Sequence, residues 1–115
     1  MKDKQNEFYT SISKYYSEIF PFQPAQLQFV KSNSGDLAGK HILDIGCATG
    51  ELAFQLALTG AFVTAIDLNN NLLNQALTKV TISDSKIANP LFNKRNMLEL
   101  GADFQPAQFD VVLCF

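Results

Sequence analysis

A short strand-like run, His41-Ile42-Leu43-Asp44-Ile45, stops at Gly46, and four residues later Gly50 opens a stretch with apolar Leu52, Ala53, Leu56 and Ala57 at helical spacing. Few folds accommodate a strand that ends in an acid, bends through two glycines and enters a helix at once. Glycine tolerates positive φ and lets backbone come within contact distance of a ligand, while the free N–H groups of the helix's first turn point to the same place. The segment Asp44-Ile45-Gly46-Cys47-Ala48-Thr49-Gly50 therefore predicts a strand-to-helix unit whose bend faces a ligand. Gly60 supplies the stop for the helix.

The pattern then repeats in kind. A second strand over residues 62–66 leads to Asp67, followed by a helix with Leu72, Leu73, Ala76, Leu77 and Val80 on one face, which Asn69 or Asn70 can cap. Residues 81–90 read as loop, 91–95 as a weaker third strand, and 109–115 as an apolar strand interrupted only by Asp110. Continuous apolar runs belong in a sheet covered on both faces. Strand, helix, strand, helix, strand, strand is the order of an α/β doubly wound, mostly parallel sheet with right-handed crossovers.

Ahead of this unit, Phe8, Ile12, Tyr15, Tyr16, Ile19 and Phe20 recur at spacings of three and four, predicting one aromatic helix over residues 6–20 that Pro21 and Pro24 end. A short second helix starts at Pro24 and stops before the polar run Ser32-Asn33-Ser34-Gly35-Asp36. The division is thus an N-terminal helical segment over residues 1–39 and an α/β domain over 40–115. With 115 residues, 47% of them hydrophobic, the chain supports one core.

Nine basic residues scattered against eleven acidic ones leave a formal charge of −2 and no footprint for nucleic acid. No apolar run has the length to cross a bilayer, and MKDKQNEF lacks the apolar centre of a signal peptide, so the expected address is the cytoplasm and no membrane partner is expected. Cys47 and Cys114 fit neither a disulfide framework nor a metal site and are read as free thiols.

Asp67 carries the second part of the functional reading. Carboxyl ends of neighbouring parallel strands lie side by side, so Asp67 falls next to the glycine bend, where a carboxylate can accept hydrogen bonds from both hydroxyls of a ribose. A glycine bend beside an acidic strand end predicts an adenosine-type ligand.

His41-Ile42-Leu43-Asp44-Ile45-Gly46-Cys47-Ala48-Thr49-Gly50-Glu51-Leu52 resembles the first motif of class I S-adenosylmethionine-dependent methyltransferases, and Ala65-Ile66-Asp67-Leu68 resembles their second. The resemblance implies a Rossmann-like sheet with strand order 3-2-1-4 and S-adenosylmethionine as cofactor, leaving S-adenosylhomocysteine. It implies that Asp44, Gly46, Cys47, Ala48 and Gly50 hold the amino acid part, that Asp67 holds the ribose and that Leu68 packs on adenine. Asn96-Met97-Leu98-Glu99-Leu100 is similar to the segment framing the adenine edge, with Asn96 where the family usually has an acid. Residues 109–114 resemble the fourth strand, whose end at Cys114 borders the transfer site. Ala48 stands where many members carry glycine, so the bend is expected to form without positive φ there. Tyr9 and Tyr16 sit in a stretch that looks like the family's lid, and the phenol of either can close over the cofactor.

The family's domain continues past its fourth strand, so an exposed apolar edge is expected at residues 111–115, open to self-association or to further protein. No catalytic base is assigned. The implied activity is transfer of a sulfonium methyl group to a small-molecule nucleophile by in-line displacement, governed by positioning. Two other readings stand beside it. A non-catalytic interaction module or inactive fragment keeps the fold without the chemistry. An NAD-dependent oxidoreductase shares the bend and the acid, but its G-x-G-x-x-G spacing would put glycines where Ala48 and Glu51 stand.

Overall fold

In the computed structural model, which describes residues 4–82, 89–96 and 108–115, strands β1 (His41–Ile45), β2 (Phe62–Asp67), β3 (Leu91–Lys94) and β4 (Val111–Leu113) pair in parallel in the order β3-β2-β1-β4. This is the Rossmann-like order. Asp44 is opposite Ala65 on one side and Leu113 on the other, and Ile45 is opposite Ile66. The bend after β1 therefore lies beside the last residue of β2, Asp67.

Period-two alternation decides what each strand buries. Ile42, Val63, Ala65, Phe92 and Leu113 turn to one face. There they meet Leu52, Ala53 and Leu56 of α4 (Glu51–Leu58) and Leu73 and Ala76 of α5 (Asn70–Ile82). The opposite face buries Leu43 and Ile66 at its centre but exposes Phe62, Leu91 and Val112. The expectation of a sheet covered on both faces thus holds for one face and for the centre of the other.

The expected N-terminal helix is broken in two. α1 (Lys4–Ile12) gives way to a 3₁₀ turn at Ser13–Tyr15 and then to α2 (Tyr16–Ile19). Ser11 Oγ donates to the Phe8 carbonyl at 2.7 Å and Ser13 Oγ to the Thr10 carbonyl at 3.0 Å, the local back-bonding that competes with a regular helix. The break gathers Tyr9, Tyr16 and Phe20 into one cluster, with ring centroids 5.1 to 6.5 Å apart. α3 (Pro24–Ser34) outruns its expected end, because Asn33 Nδ2 bonds the Phe29 carbonyl at 2.8 Å and the helix stops only at Gly35, φ +70°.

Residues 81–82 belong to the end of α5, where a loop was expected. β4 is shorter than the apolar run that announced it. Asp110 Oδ2 accepts the His41 N–H at 2.8 Å, while the Asp110 N–H donates to the His41 carbonyl at 2.7 Å. A side chain thus clamps the start of β1 before the ladder begins.

Candidate functional site

The bend between β1 and α4 lies flat against β2. The N–H groups of Gly46 and Cys47 both donate to the Ile66 carbonyl, at 2.8 and 3.0 Å, and the Ala48 N–H donates to Asp67 Oδ2 at 2.8 Å. Ala48 itself has φ +52°. The expectation that alanine keeps this position out of the left-handed region is corrected: the tight bend between Gly46 and Gly50 takes Ala48 to positive φ while its N–H is held by Asp67. The conformation costs alanine roughly 1–2 kcal/mol.

The two glycines have different jobs. A Cβ on Gly46 would meet nothing within 4 Å, whereas one on Gly50 would come 2.8 Å from Phe92 Cζ and 3.3 Å from Ala76 Cβ. Gly46 is exposed and forms floor. Gly50 is buried behind the bend and lines neither of the cavities described next, so its place is in packing α4 against β3 and α5.

Two cavities open over the bend. One, of about 270 Å³, is bordered by Asp44, Cys47, Glu51 and Leu52 on the bend's side and by Phe20 and Gln26 from the N-terminal helical segment. The other, of about 520 Å³, is bordered by Asp67, Leu68, Asn69, Asn96, Tyr9 and Cys114 among others. Gly46, Ala48, Tyr16 and Phe115 border both, so the two cavities adjoin, with Asp44 on one and Asp67 on the other.

Asp44 is 4% exposed, and among the described residues no group donates a hydrogen bond to its carboxylate. Burial, with the Asp67 charge adding to it, pushes its pKa from 3.8 up to about 7. A buried acid in this condition keeps its proton to far higher pH than a free one. Asp67 Oδ1 accepts the Asn69 N–H at 2.8 Å, so each of its oxygens holds one backbone donor and keeps a lone pair for another. Burial, then the Asp44 and Asp67 carboxylates, push the Cys47 thiol up, which keeps it protonated and unreactive. Burial also raises the Tyr16 phenol, with Tyr9 and Asp67 contributing next.

Of the residues expected from sequence, Asp44, Gly46, Cys47, Ala48, Asp67, Leu68, Asn96, Cys114, Tyr9 and Tyr16 all border these cavities, and Gly50 does not. Met97 lies outside the described residues. Sequence reasoning missed Asn6, Asn69, Arg95 and Phe115 in the larger cavity and Gln23, Gln26 and Glu51 in the smaller. For Asn6 no signal existed, because it is one of several polar residues in α1. Among the described residues no cluster of three or more metal-ligating side chains occurs, and no helix is long and apolar enough to cross a membrane.

Residues 36–115 match a protein family described as a methyltransferase domain. The chain is 34% identical over 99 residues to the ubiquinone biosynthesis O-methyltransferase of Bordetella parapertussis, covering 86% of this chain and 39% of that one. Among solved structures it is similar to phosphoethanolamine N-methyltransferase 2 of Haemonchus contortus in complex with S-adenosyl-L-methionine. There the TM-score is 0.72 at 28% identity, over 87% of this chain and 24% of that one. It is also similar to magnesium protoporphyrin IX methyltransferase of Synechocystis PCC 6803 with bound S-adenosylmethionine, with TM-score 0.64 at 25% identity, over 77% and 40% of the two chains. The chain spans about two fifths of the length of the curated relatives it matches.

Proposed function

This chain belongs to the methyltransferase-domain family, and from that premise we propose that it binds S-adenosylmethionine along the adjoining cavities and serves methyl transfer to a small-molecule acceptor. The observation that carries the reading is a pair of carboxylates on adjoining cavities: Asp44, buried and with no donor among the described residues, and Asp67, with lone pairs to spare.

Those groups suit the cofactor's two polar ends. In this reading the Asp44 carboxylate accepts the amino acid's ammonium, and the charge on that ammonium offsets the cost of an ionised buried acid. Asp67 accepts the ribose hydroxyls with the lone pairs its two N–H partners leave open. Gly46, without a side chain, lets the backbone pass under the ligand. Leu68 and Asn96 serve the base, and the Asn96 amide oxygen can accept from an adenine amino group. Cys47, Ala48 and Cys114 border the ligand as small side chains, and Tyr9 and Tyr16 close over it from residues 1–39, the lid. When bound, the cofactor supplies an electrophilic methyl group on a sulfonium.

An oxygen acceptor is the first to try, since the curated relative named above is an O-methyltransferase. The outer edge of β4, which no further strand pairs among the described residues and where Val112 is exposed, is the surface through which copies of this chain would associate. Light scattering over a dilution series tests that association. Calorimetric titration with S-adenosylmethionine, S-adenosylhomocysteine and NAD tests the main reading. Saturable binding of the first two and none of NAD is expected, and binding of NAD alone would overturn it.

A further inference from the structure

Asn69 sits two residues past the ribose carboxylate, is 2% exposed and spends every polar atom it has. Its N–H donates to Asp67 Oδ1 at 2.8 Å. Its Oδ1 accepts the Leu72 N–H at 3.1 Å, capping α5. Its Nδ2 reaches across to α1, lying 2.9 Å from Asn6 Oδ1, 3.2 Å from the Asn6 carbonyl and 3.0 Å from Thr10 Oγ1. An asparagine is read from sequence as a cap and nothing more. Aspartate or serine would cap α5 as well, but aspartate has no donor to offer and the serine hydroxyl is too short to reach α1.

The far side of that reach matters because apolar burial holds α1 only in part. Phe8 is 53% exposed and Tyr9 and Ile12 are only half-buried, so apolar burial contributes modestly, and helices with few buried contacts open readily. Gln75 Nε2 adds a second tie, to the Ser13 carbonyl at 2.6 Å. Asn6 and Tyr9 of α1 both border the larger cavity.

We propose that Asn69 is a positioning residue that latches α1 over the nucleoside end of the cavity and links that latch to the Asp67 carboxylate. The proposal rests on the reading of the site given under Proposed function. A ligand gripped by Asp67 steadies the loop that carries Asn69, Asn69 holds Asn6 and Thr10, and the ligand leaves only when α1 lifts.

Two variants separate the latch from the cap. Asn69→Ser keeps an oxygen for the Leu72 N–H but loses the reach, and Thr10→Val removes one partner while leaving Asn69 intact. Dissociation of S-adenosylhomocysteine is followed by stopped flow, and amide exchange over residues 4–12 by mass spectrometry. Expected are dissociation about tenfold faster for Asn69→Ser and less for Thr10→Val, the scale of one or two lost hydrogen bonds. Association rates stay unchanged, α1 exchange quickens in both, and the double variant is no worse than Asn69→Ser alone. Wild-type dissociation rates in both variants would overturn the proposal. So would faster dissociation with α1 exchange unchanged. If the unaltered chain binds no S-adenosylhomocysteine, the reading of the site falls, and exchange in the free protein decides the latch by itself: unchanged α1 amides in Asn69→Ser would overturn it.

Discussion

The Ala48 N–H donates to Asp67 Oδ2 at 2.8 Å, joining the bend after β1 to the end of β2. Asp67 therefore has two tasks, building the bend and facing the larger cavity. In Asp67→Asn one of the two backbone donors, Ala48 or Asn69, must confront an amide NH₂. A stability loss of about 1–3 kcal/mol is expected in denaturant unfolding of the free protein, from the unsatisfied donor alone. An Asp67→Asn variant as stable as the parent would show that the bond does not hold the bend.

Ala48 bears the strain of that bend, with φ +52°. Ala48→Gly removes the left-handed penalty of about 1–2 kcal/mol but adds about 0.4–1 kcal/mol of backbone freedom to the unfolded chain. The net expectation is a gain of about 0.5–1 kcal/mol, read as a higher denaturant midpoint with the slope unchanged. A loss of stability would mean that the buried methyl contributes more than the strain costs.

Gly46 and Gly50 look interchangeable in the sequence and respond differently to the same substitution. Gly46→Ala meets open space, so it costs only the roughly 1–2 kcal/mol of a left-handed alanine, while its methyl enters the ligand's floor and lowers cofactor affinity at least about tenfold. Gly50→Ala adds a 2.8 Å clash with Phe92, held between Phe54 and the bend, and should cost about 2–4 kcal/mol. Thermal unfolding and calorimetry together check the pair, and equal stability losses would refute the division.

The parts of the fold that were legible in the sequence are those written locally. Strand runs, the two glycines and the acid ending β2 follow from period and turn chemistry, and parallel pairing then brings Asp44, Asp67 and the bend together without further information. The parts that were not legible depend on partners far away in the chain. The bend's hold on β2 is completed by a carboxylate nineteen residues on, which accepts the Ala48 N–H. Asp110, an interruption in an apolar run, acts on His41 across sixty-nine residues. Asn69 reads as a cap until Asn6 and Thr10 are seen opposite its amide. Serine back-bonding divides the N-terminal helix, a small local preference that an aromatic stripe at helical spacing conceals.

Asp44 sets the pH dependence of the free protein. Its carboxyl pKa is about 7 in the fold against an ordinary 3.8, so between pH 4 and 7 the unfolded chain has released this proton and the folded one has kept it. The folded state binds more protons in that window, so this group makes stability fall as pH rises, by up to about 4 kcal/mol, with no further change above 7. Asp44→Asn lacks the ionisation, so its stability relative to the parent should climb from pH 4 to 7 and then level. Cofactor binding should run the other way in the parent: an ammonium against Asp44 requires the carboxylate, so binding expels a proton and affinity at pH 6 should be about tenfold below that at pH 8. Asp44→Asn should bind weakly at both. Parallel stability curves for the two proteins across pH 4 to 8 would mean that the Asp44 carboxyl ionises as freely in the folded chain as in the unfolded one.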